Sequence, residues 1–348
     1  MAIAPEDGYT DRIPYEFHPI KIKSRSVNPF QHLAVLTRFV RTFRKVKPDI
    51  ALLYTIQPNT HGNIAAWLTG VKTISNIAGL GNLYIEKKFA TRVASSLYKA
   101  ALKHPFKVFF QNNVVMKMFI QDGLVDPEKS GRIPGSGVDI ERFAPCQQPH
   151  VAGDRPFIFL LASRMLWEKG IAEYAEAASR VKKKNDNVIF RLLGPLNVDN
   201  PAALTEMDMS ELTANGSVEY MGVSDQMEDE IARADCIVLP SYREGLPRIL
   251  LEAAAMAKPI ITTNVPGCSD VVEDGVTGYI CEARNADDLR AKMSLMMGLS
   301  EVERKTMGES SRNKAVVEFD QRLVFASYQQ AVELCELRHK TKKSFFNV

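Results

Sequence analysis

Residues 235–253 read Asp235-Cys236-Ile237-Val238-Leu239-Pro240-Ser241-Tyr242-Arg243-Glu244-Gly245-Leu246-Pro247-Arg248-Ile249-Leu250-Leu251-Glu252-Ala253. The run up to Leu239 is apolar at successive positions, which predicts a strand buried on both faces of a parallel sheet. Pro240 to Gly245 is a turn-rich loop, and a helix opens around Pro247, with proline in the first turn. Strand, loop and helix in this order form the unit of a doubly wound α/β domain, whose ligands sit at the carboxyl ends of the strands. Glu244 falls in that loop, where it can reach the hydroxyls of a small polar ligand. Glu252 falls inside a helix rich in Leu and Ala, where a carboxylate needs a partner. A vicinal diol such as a ribose would satisfy both of its oxygens. Gly245 permits close backbone approach. The plainer alternative is a helix-start carboxylate and an exposed one.

A second loop of the same kind is Ala162-Ser163-Arg164-Met165-Leu166-Trp167-Glu168-Lys169-Gly170. A strand, Phe157–Ala162, ends where it begins, and a helix starts near Gly170. Arg164 and Lys169 bracket the loop beside a helix N-terminus, which suits a diphosphate. An ordinary surface loop is the equal alternative. Two further strand-end loops hold Gly79-Leu80-Gly81 and Pro266-Gly267-Cys268-Ser269. Gly267 and Ser269 are placed to line a site, and Cys268 reads as a buried spacer. His61, at a strand-to-helix junction, reads equally as a substrate contact or a loop residue.

Strands alternate with amphipathic helices through most of the 348 residues, which is enough chain for two domains. The stretch 144–156 holds Pro145, Pro149, Gly153 and Pro156 and reads as a linker. The expected division is therefore 1–145, then 146–318, then a last helix and basic tail over 319–348. The fold class is α/β, with two doubly wound parallel sheets facing a cleft. The opening is short: Met1–Ala4 looks like the end of a strand, so the first domain is expected to lack its initial strand-loop-helix unit.

Charge is uneven. Residues 1–145 hold 20 Lys and Arg against 11 Asp and Glu, a net of +9, whereas residues 146–348 hold 24 against 30, a net of −6. A basic first half suits an anionic partner. Arg38, Arg41, Arg44, Lys45 and Lys47 form one cluster, and Lys87, Lys88, Arg92, Lys99, Lys103 and Lys107 another. Each also reads as a solvated helix face. Basic-aromatic interleaving is too weak for nucleic-acid recognition. Five scattered Cys exclude a disulfide scaffold or a Cys-based zinc site. The glycine fingerprint of dinucleotide-binding dehydrogenases is missing, as are Walker, kinase and G-x-S-x-G signatures.

These motifs together resemble a bacterial retaining glycosyltransferase of family 4, of GT-B type. Ser163-Arg164 to Lys169-Gly170 is similar to the family's phosphate-binding Arg and Lys. Glu244-Gly245-Leu246-Pro247 to Glu252-Ala253 is similar to its E-x7-E signature, and Thr262 to Ile280 to its closing donor-domain block. Pro48-Asp49, Tyr54 to Asn59 and Gly79-Leu80-Gly81 resemble a subgroup acting on polyprenyl-diphosphate-linked sugars in surface-polysaccharide assembly.

The resemblance implies a UDP-sugar donor, often an N-acetylhexosamine, and a lipid-linked saccharide acceptor. It also implies work at the inner face of the cytoplasmic membrane, with the last helix returning to the first domain. Arg164 and Lys169 would hold the diphosphate, Glu252 the ribose and Glu244 the donor sugar, with the Gly245 and Leu246 amides adding contacts. No metal and no other cofactor is expected. Two other readings are a truncated, non-catalytic relative that binds nucleotide-sugar or a partner, and a UDP-sugar 2-epimerase on the same fold.

Overall fold

A computed structural model of the protein describes residues 1–5, 10–12, 14–22, 29–79, 96–146 and 155–345. Gly81, Lys23, Arg25, Lys87, Lys88, Arg92, Phe346 and most of the expected linker lie outside these residues. The chain divides into two compact units, Met1–Ile133 with Ser327–Val348, and Pro134–Ala326.

Among the described residues, unit 1 contains two parallel sheets. Strands β1 (Ala2–Ala4) and β2 (Phe17–Pro19) pair with each other. Strands β3 (Ile50–Tyr54), β4 (Lys72–Ile77), β5 (Lys107–Phe110) and β6 (Ser130–Arg132) form a four-stranded sheet in that order. Helix α1 (Pro29–Val46) buries Val35, Phe39 and Phe43 against Leu53 of β3 and Ala65 and Ala66 of α2 (Asn63–Thr69). On the other side, Tyr98 of α3 (96–101) and Val115 and Phe119 of α4 (Asn113–Gln121) pack on Val108 and Phe110. At the strand-to-helix junction that holds His61, a π turn at Pro58–Gly62 precedes α2. Side chains shape that turn: Thr60 Oγ1 donates to the Ile56 carbonyl at 2.7 Å and Asn63 Nδ2 to the Asn59 carbonyl at 2.7 Å.

Among the described residues, unit 2 holds one six-stranded parallel sheet. Its strands are β7 (Phe157–Ala162), β8 (Val188–Leu193), β9 (Glu219–Tyr220), β10 (Cys236–Leu239), β11 (Ile260–Thr263) and β12 (Gly278–Cys281). They lie in the order β12-β11-β10-β7-β8-β9, the doubly wound order whose direction of winding reverses between β7 and β10. Alternate residues face opposite sides. Leu160, Ala162, Ile237 and Leu239 enter one core, and Phe159, Leu161, Cys236 and Val238 the other. Helices α5 (Ile171–Lys182), α7 (Met227–Arg233), α8 (Arg248–Ala255), α9 (Ala286–Gly298) and α10 (Glu301–Lys314) belong to this unit. A helix the sequence reading passed over, α6 (Glu206–Thr213), starts from a reciprocal Thr205–Asp208 capping box.

The expected boundary at residue 145 moves to 133/134. Val138, Ile140 and Phe143 are apolar and need cover, which they find in unit 2 beside Leu250, Ala315 and Phe319. Val138 N–H donates to the Phe319 carbonyl at 2.8 Å, and Gln321 N–H to the Val138 carbonyl at 2.9 Å. The return expected at residue 319 comes within helix α11 (Gln321–Phe345), from Ser327 onward. There Asn76 Nδ2 donates to the Tyr328 hydroxyl at 2.8 Å, and Lys72 Nζ to the Cys335 carbonyl at 3.2 Å.

Candidate active site

The two motif loops leave the carboxyl ends of β7 and β10, the neighbouring strands at the reversal point of the unit 2 sheet. They are knitted together. Gly170 is the N-cap of α5 with φ +74°, and a Cβ there would come within 2.1 Å of the Pro240 carbonyl oxygen. Only glycine accepts both that backbone and that approach. Tyr242 N–H donates to the Glu168 carbonyl at 3.0 Å, and Arg243 Nη2 to the Glu168 carboxylate at 2.6 Å. The Tyr242 hydroxyl bonds the Glu173 carboxylate at 2.7 Å, and the Arg284 guanidinium lies 4.5 Å over the Tyr242 ring. From β11, Thr262 and Thr263 donate to the Leu239 and Ser241 carbonyls at 2.8 and 2.6 Å.

Within this frame Lys169 forms an ion pair with Glu244, and the two side chains are only 14% and 12% exposed. Lys169 closes a short 3-10 turn, Trp167–Lys169. Arg164 stands exposed at the end of β7, and its guanidinium has no partner among the described residues. Helix α8 begins at Arg248, so Pro247 is its N-cap and not, as expected, part of its first turn. Pro247 has extended backbone (φ −73°, ψ 123°), which places it before the first helical residue.

Glu252, in the second turn of α8, is buried. Arg248 reaches it at 3.3 Å, and burial raises its pKa above the ordinary carboxylate value despite the nearby Arg248 and Arg142. Glu252 is thus brought near Arg248 and Arg142, while the Lys169–Glu244 pair forms at the loop.

Gly245 and Leu246 are fixed by two glycines. A Cβ on Gly267 (φ +86°) would meet the Gly245 carbonyl oxygen at 2.2 Å, and one on Gly135 (φ +58°) would meet the Leu246 Cβ at 3.0 Å. Leu246 is buried in the core of the unit. Cys268 is buried beside Glu244, and burial, helped by that charge, pushes its thiol up to about 12. Ser269 turns its hydroxyl back to the Val265 carbonyl at 3.1 Å. His61 lies in unit 1, buried, with its ring nitrogens 3.0 Å from His32 Nδ1 and 3.3 Å from the Gln57 carbonyl. Gly79 follows β4, also in unit 1.

Sequence reasoning missed three contributors. Gly135 belongs to neither motif loop. Arg142, which pairs with Glu228 and faces Glu252, carried no motif. Glu168 sits inside the Ala162–Gly170 loop motif, yet its carbonyl and carboxylate tie the two loops together. The Pro134-Gly135-Ser136-Gly137 spacing was the one available signal.

Residues 146–314 match the family described as "Glycosyl transferases group 1", and residues 3–112 match "Glycosyl transferase 4-like". The chain belongs to the family 4 glycosyltransferases. Over 319 residues it is 28% identical to the Campylobacter jejuni N,N'-diacetylbacillosaminyl-diphospho-undecaprenol alpha-1,3-N-acetylgalactosaminyltransferase, covering 85% of this chain and 81% of that protein. Among solved structures, a Rickettsia africae glycosyltransferase superposes with a TM-score of 0.74 at 23% identity, covering 92% of this chain and 85% of the other. Anabaena HepE in complex with UDP and glucose gives a TM-score of 0.72 at 19% identity, with 92% and 86% covered. The fold of this glycosyltransferase is GT-B, built on two Rossmann-like α/β units.

Proposed function

We propose that this glycosyltransferase moves a hexose or N-acetylhexosamine from a UDP-sugar to a polyprenyl-diphosphate-linked saccharide, in surface-polysaccharide or glycan assembly, with anomeric configuration retained. The observation that carries the donor assignment is the joining of the two motif loops at the reversal point of the unit 2 sheet, with Lys169 against Glu244. Likeness to a relative named for an undecaprenol-diphosphate-linked acceptor, and to a structure holding UDP and glucose, supports the substrate classes. The acceptor places the work at the inner face of the cytoplasmic membrane, against anionic lipid.

In this reading Lys169 and Arg164 hold the donor diphosphate and neutralise the charge that grows on the departing UDP. Uncapped amides at the N-terminus of α5 add to that field. Cations of the chain, with no metal ion, do this work. Before the donor binds, Glu244 neutralises Lys169; the diphosphate then competes for the ammonium, leaving the carboxylate to accept hydrogen bonds from the donor sugar. Glu252 accepts the ribose hydroxyls, whose two donors relieve the cost of a buried carboxylate. The Gly245 and Leu246 amides complete the cradle. Retention follows from attack on the face that the leaving phosphate occupies, with the acceptor proton passing to that phosphate, so no protein nucleophile is needed.

The test is calorimetric titration with UDP, UDP-GlcNAc and UDP-GalNAc in EDTA, followed by transfer to a synthetic polyprenyl-diphosphate-sugar. Metal-independent UDP binding and a product one sugar longer are expected. A folded protein that ignores UDP overturns the donor assignment.

A further inference from the structure

The Arg164 side chain is exposed and has no partner among the described residues, so its place in the site depends on the backbone that carries it. That backbone is held closely. The Arg164 carbonyl accepts from the Leu166 N–H at 2.8 Å and from the Ser163 hydroxyl at 3.0 Å. On either side of it, Ser163 N–H donates to the Leu193 carbonyl at 2.9 Å and Met165 N–H to the Pro195 carbonyl at 3.0 Å. Residues 202–204 run alongside, with Leu166 and Ala203 in an antiparallel bridge. There Trp167 N–H donates to the Ala202 carbonyl and Leu204 N–H to the Met165 carbonyl, both at 2.9 Å.

The two carbonyls that hold Ser163 and Met165 flank a single residue, Gly194, just past the carboxyl end of β8. Gly194 has φ +141°, and a Cβ there would come within 1.7 Å of the Ser163 carbonyl oxygen. Only glycine fits. Both of its backbone polar groups are taken from behind by β9 and the turn that follows. Gly194 N–H donates to the Gly222 carbonyl at 2.7 Å, and the Tyr220 hydroxyl donates to the Gly194 carbonyl at 2.8 Å. The Tyr220 ring packs against the core of unit 2, and Met221 N–H donates to the Leu192 carbonyl at 2.8 Å, so the hydroxyl comes from a fixed frame. Burial, with Glu206 nearby, raises the phenol pKa and keeps the hydroxyl a donor.

Strand β9 pairs with β8 through its backbone, so the hydroxyl bond adds nothing to the pairing itself. What it fixes is the plane of the Gly194–Pro195 peptide, and hence the acceptors on either side of it. We propose that Tyr220 is a positioning residue for donor binding, acting through Gly194 on the Ser163–Met165 backbone and so on Arg164. A cation already in place when the diphosphate arrives spares part of the cost of ordering it. The inference rests on the assignment of Arg164 to the diphosphate in the function proposed above.

The test is a double-mutant cycle. UDP is titrated calorimetrically, in EDTA, into the whole chain and into Tyr220→Phe, Arg164→Gln and the double variant. Phenylalanine keeps the ring in the core, so the fold is retained, and urea melts of all four proteins check this. With Arg164 present, Tyr220→Phe is expected to weaken UDP about threefold to tenfold, the effect of one lost hydrogen bond. In the Arg164→Gln background the same change is expected to alter UDP affinity by less than about twofold. A purely structural role for the hydroxyl would weaken UDP by the same factor in both backgrounds.

Equal factors in the two backgrounds overturn the inference, as does a Tyr220→Phe variant that binds UDP like the wild type while Arg164→Gln binds it weakly. An Arg164→Gln variant that binds UDP as tightly as the wild type overturns the donor assignment itself, and this inference with it. The two failures are therefore read from different members of the cycle.

Discussion

Lys169 and Glu244, 75 residues apart in the chain, form an ion pair at the junction of the β7 and β10 loops, almost withdrawn from water. Each belongs to a different motif, and each is the other's counter-charge. A pair of this kind is costly to break from one side, because the remaining charge is left uncompensated.

Replacing its two members should therefore have opposite effects on diphosphate binding. Lys169→Ala removes a charge-assisted hydrogen bond worth about 1.5–3 kcal/mol, which weakens UDP about tenfold to hundredfold. Glu244→Gln frees the ammonium, so UDP affinity holds or rises while sugar transfer falls. Calorimetry with UDP and a turnover assay separate the two. Equal weakening of UDP in both variants would show that the pair is structural only.

Gly170→Ala should disconnect the loops. The new Cβ has 2.1 Å to the Pro240 oxygen at a φ of +74°, so backbone must move. A loss of about 2–4 kcal/mol in denaturant stability is expected, from a left-handed alanine and a steric clash. Gly216→Ala is the control: its φ is +67°, but nothing lies within 4 Å, so strain alone remains. A loss of about 1 kcal/mol is expected there. Equal losses at the two sites would mean that the approach to Pro240 is not tight.

Glu252 should set stability against binding. Its folded pKa is raised by burial, so the folded state holds the proton more firmly than the unfolded chain. Its favourable contribution is complete below the ordinary carboxylate pKa and is lost as pH rises through the folded value. Glu252→Gln removes that slope. The variant should gain stability relative to wild type as pH climbs from acid to neutral, yet bind UDP more weakly. Urea melts over this range, with a UDP titration at neutral pH, give both readings. A stability difference that does not change with pH counts against the assignment.

Arg312 should hold residues 140–143 to unit 2. Its guanidinium donates to the carbonyls of Ile140, Phe143 and Ala255 at 3.0, 3.1 and 2.6 Å. Arg312→Ala strands those acceptors, at about 1–3 kcal/mol for a buried group left unsatisfied. Chemical denaturation should show a loss of that order. Arg312→Lys should recover little, since one ammonium cannot reproduce the planar fork.

Much of unit 2 is legible in the sequence alone. The apolar strands Phe157–Ala162 and Cys236–Leu239 and the helix after Gly170 have patterns that burial on two faces requires. The loops at their ends followed directly. Helix α6 escaped because its start rests on Thr205 and Asp208 bonding each other, a signal of spacing and not of hydrophobic period. The π turn at Pro58–Gly62 escaped because a change of helical step is produced by side-chain bonds to carbonyls, here from Thr60 and Asn63. The boundary near residue 145 was misplaced because turn composition marks a loop without saying which core its Val138, Ile140 and Phe143 will join.

By itself the sequence determined the class of fold, the order of strands and helices along the chain, and the loops that bear charge. These follow from local periodicity, since a strand or helix must place its apolar side chains where they can be buried. Only the tertiary structure decided that β10 lies beside β7, so that Lys169 meets Glu244 and Gly170 backs onto Pro240. It also decided that the last helix anchors Tyr328 to Asn76. Such pairings lie far apart in sequence, and the packing of whole sheets and helices selects them, which no local pattern of residues records.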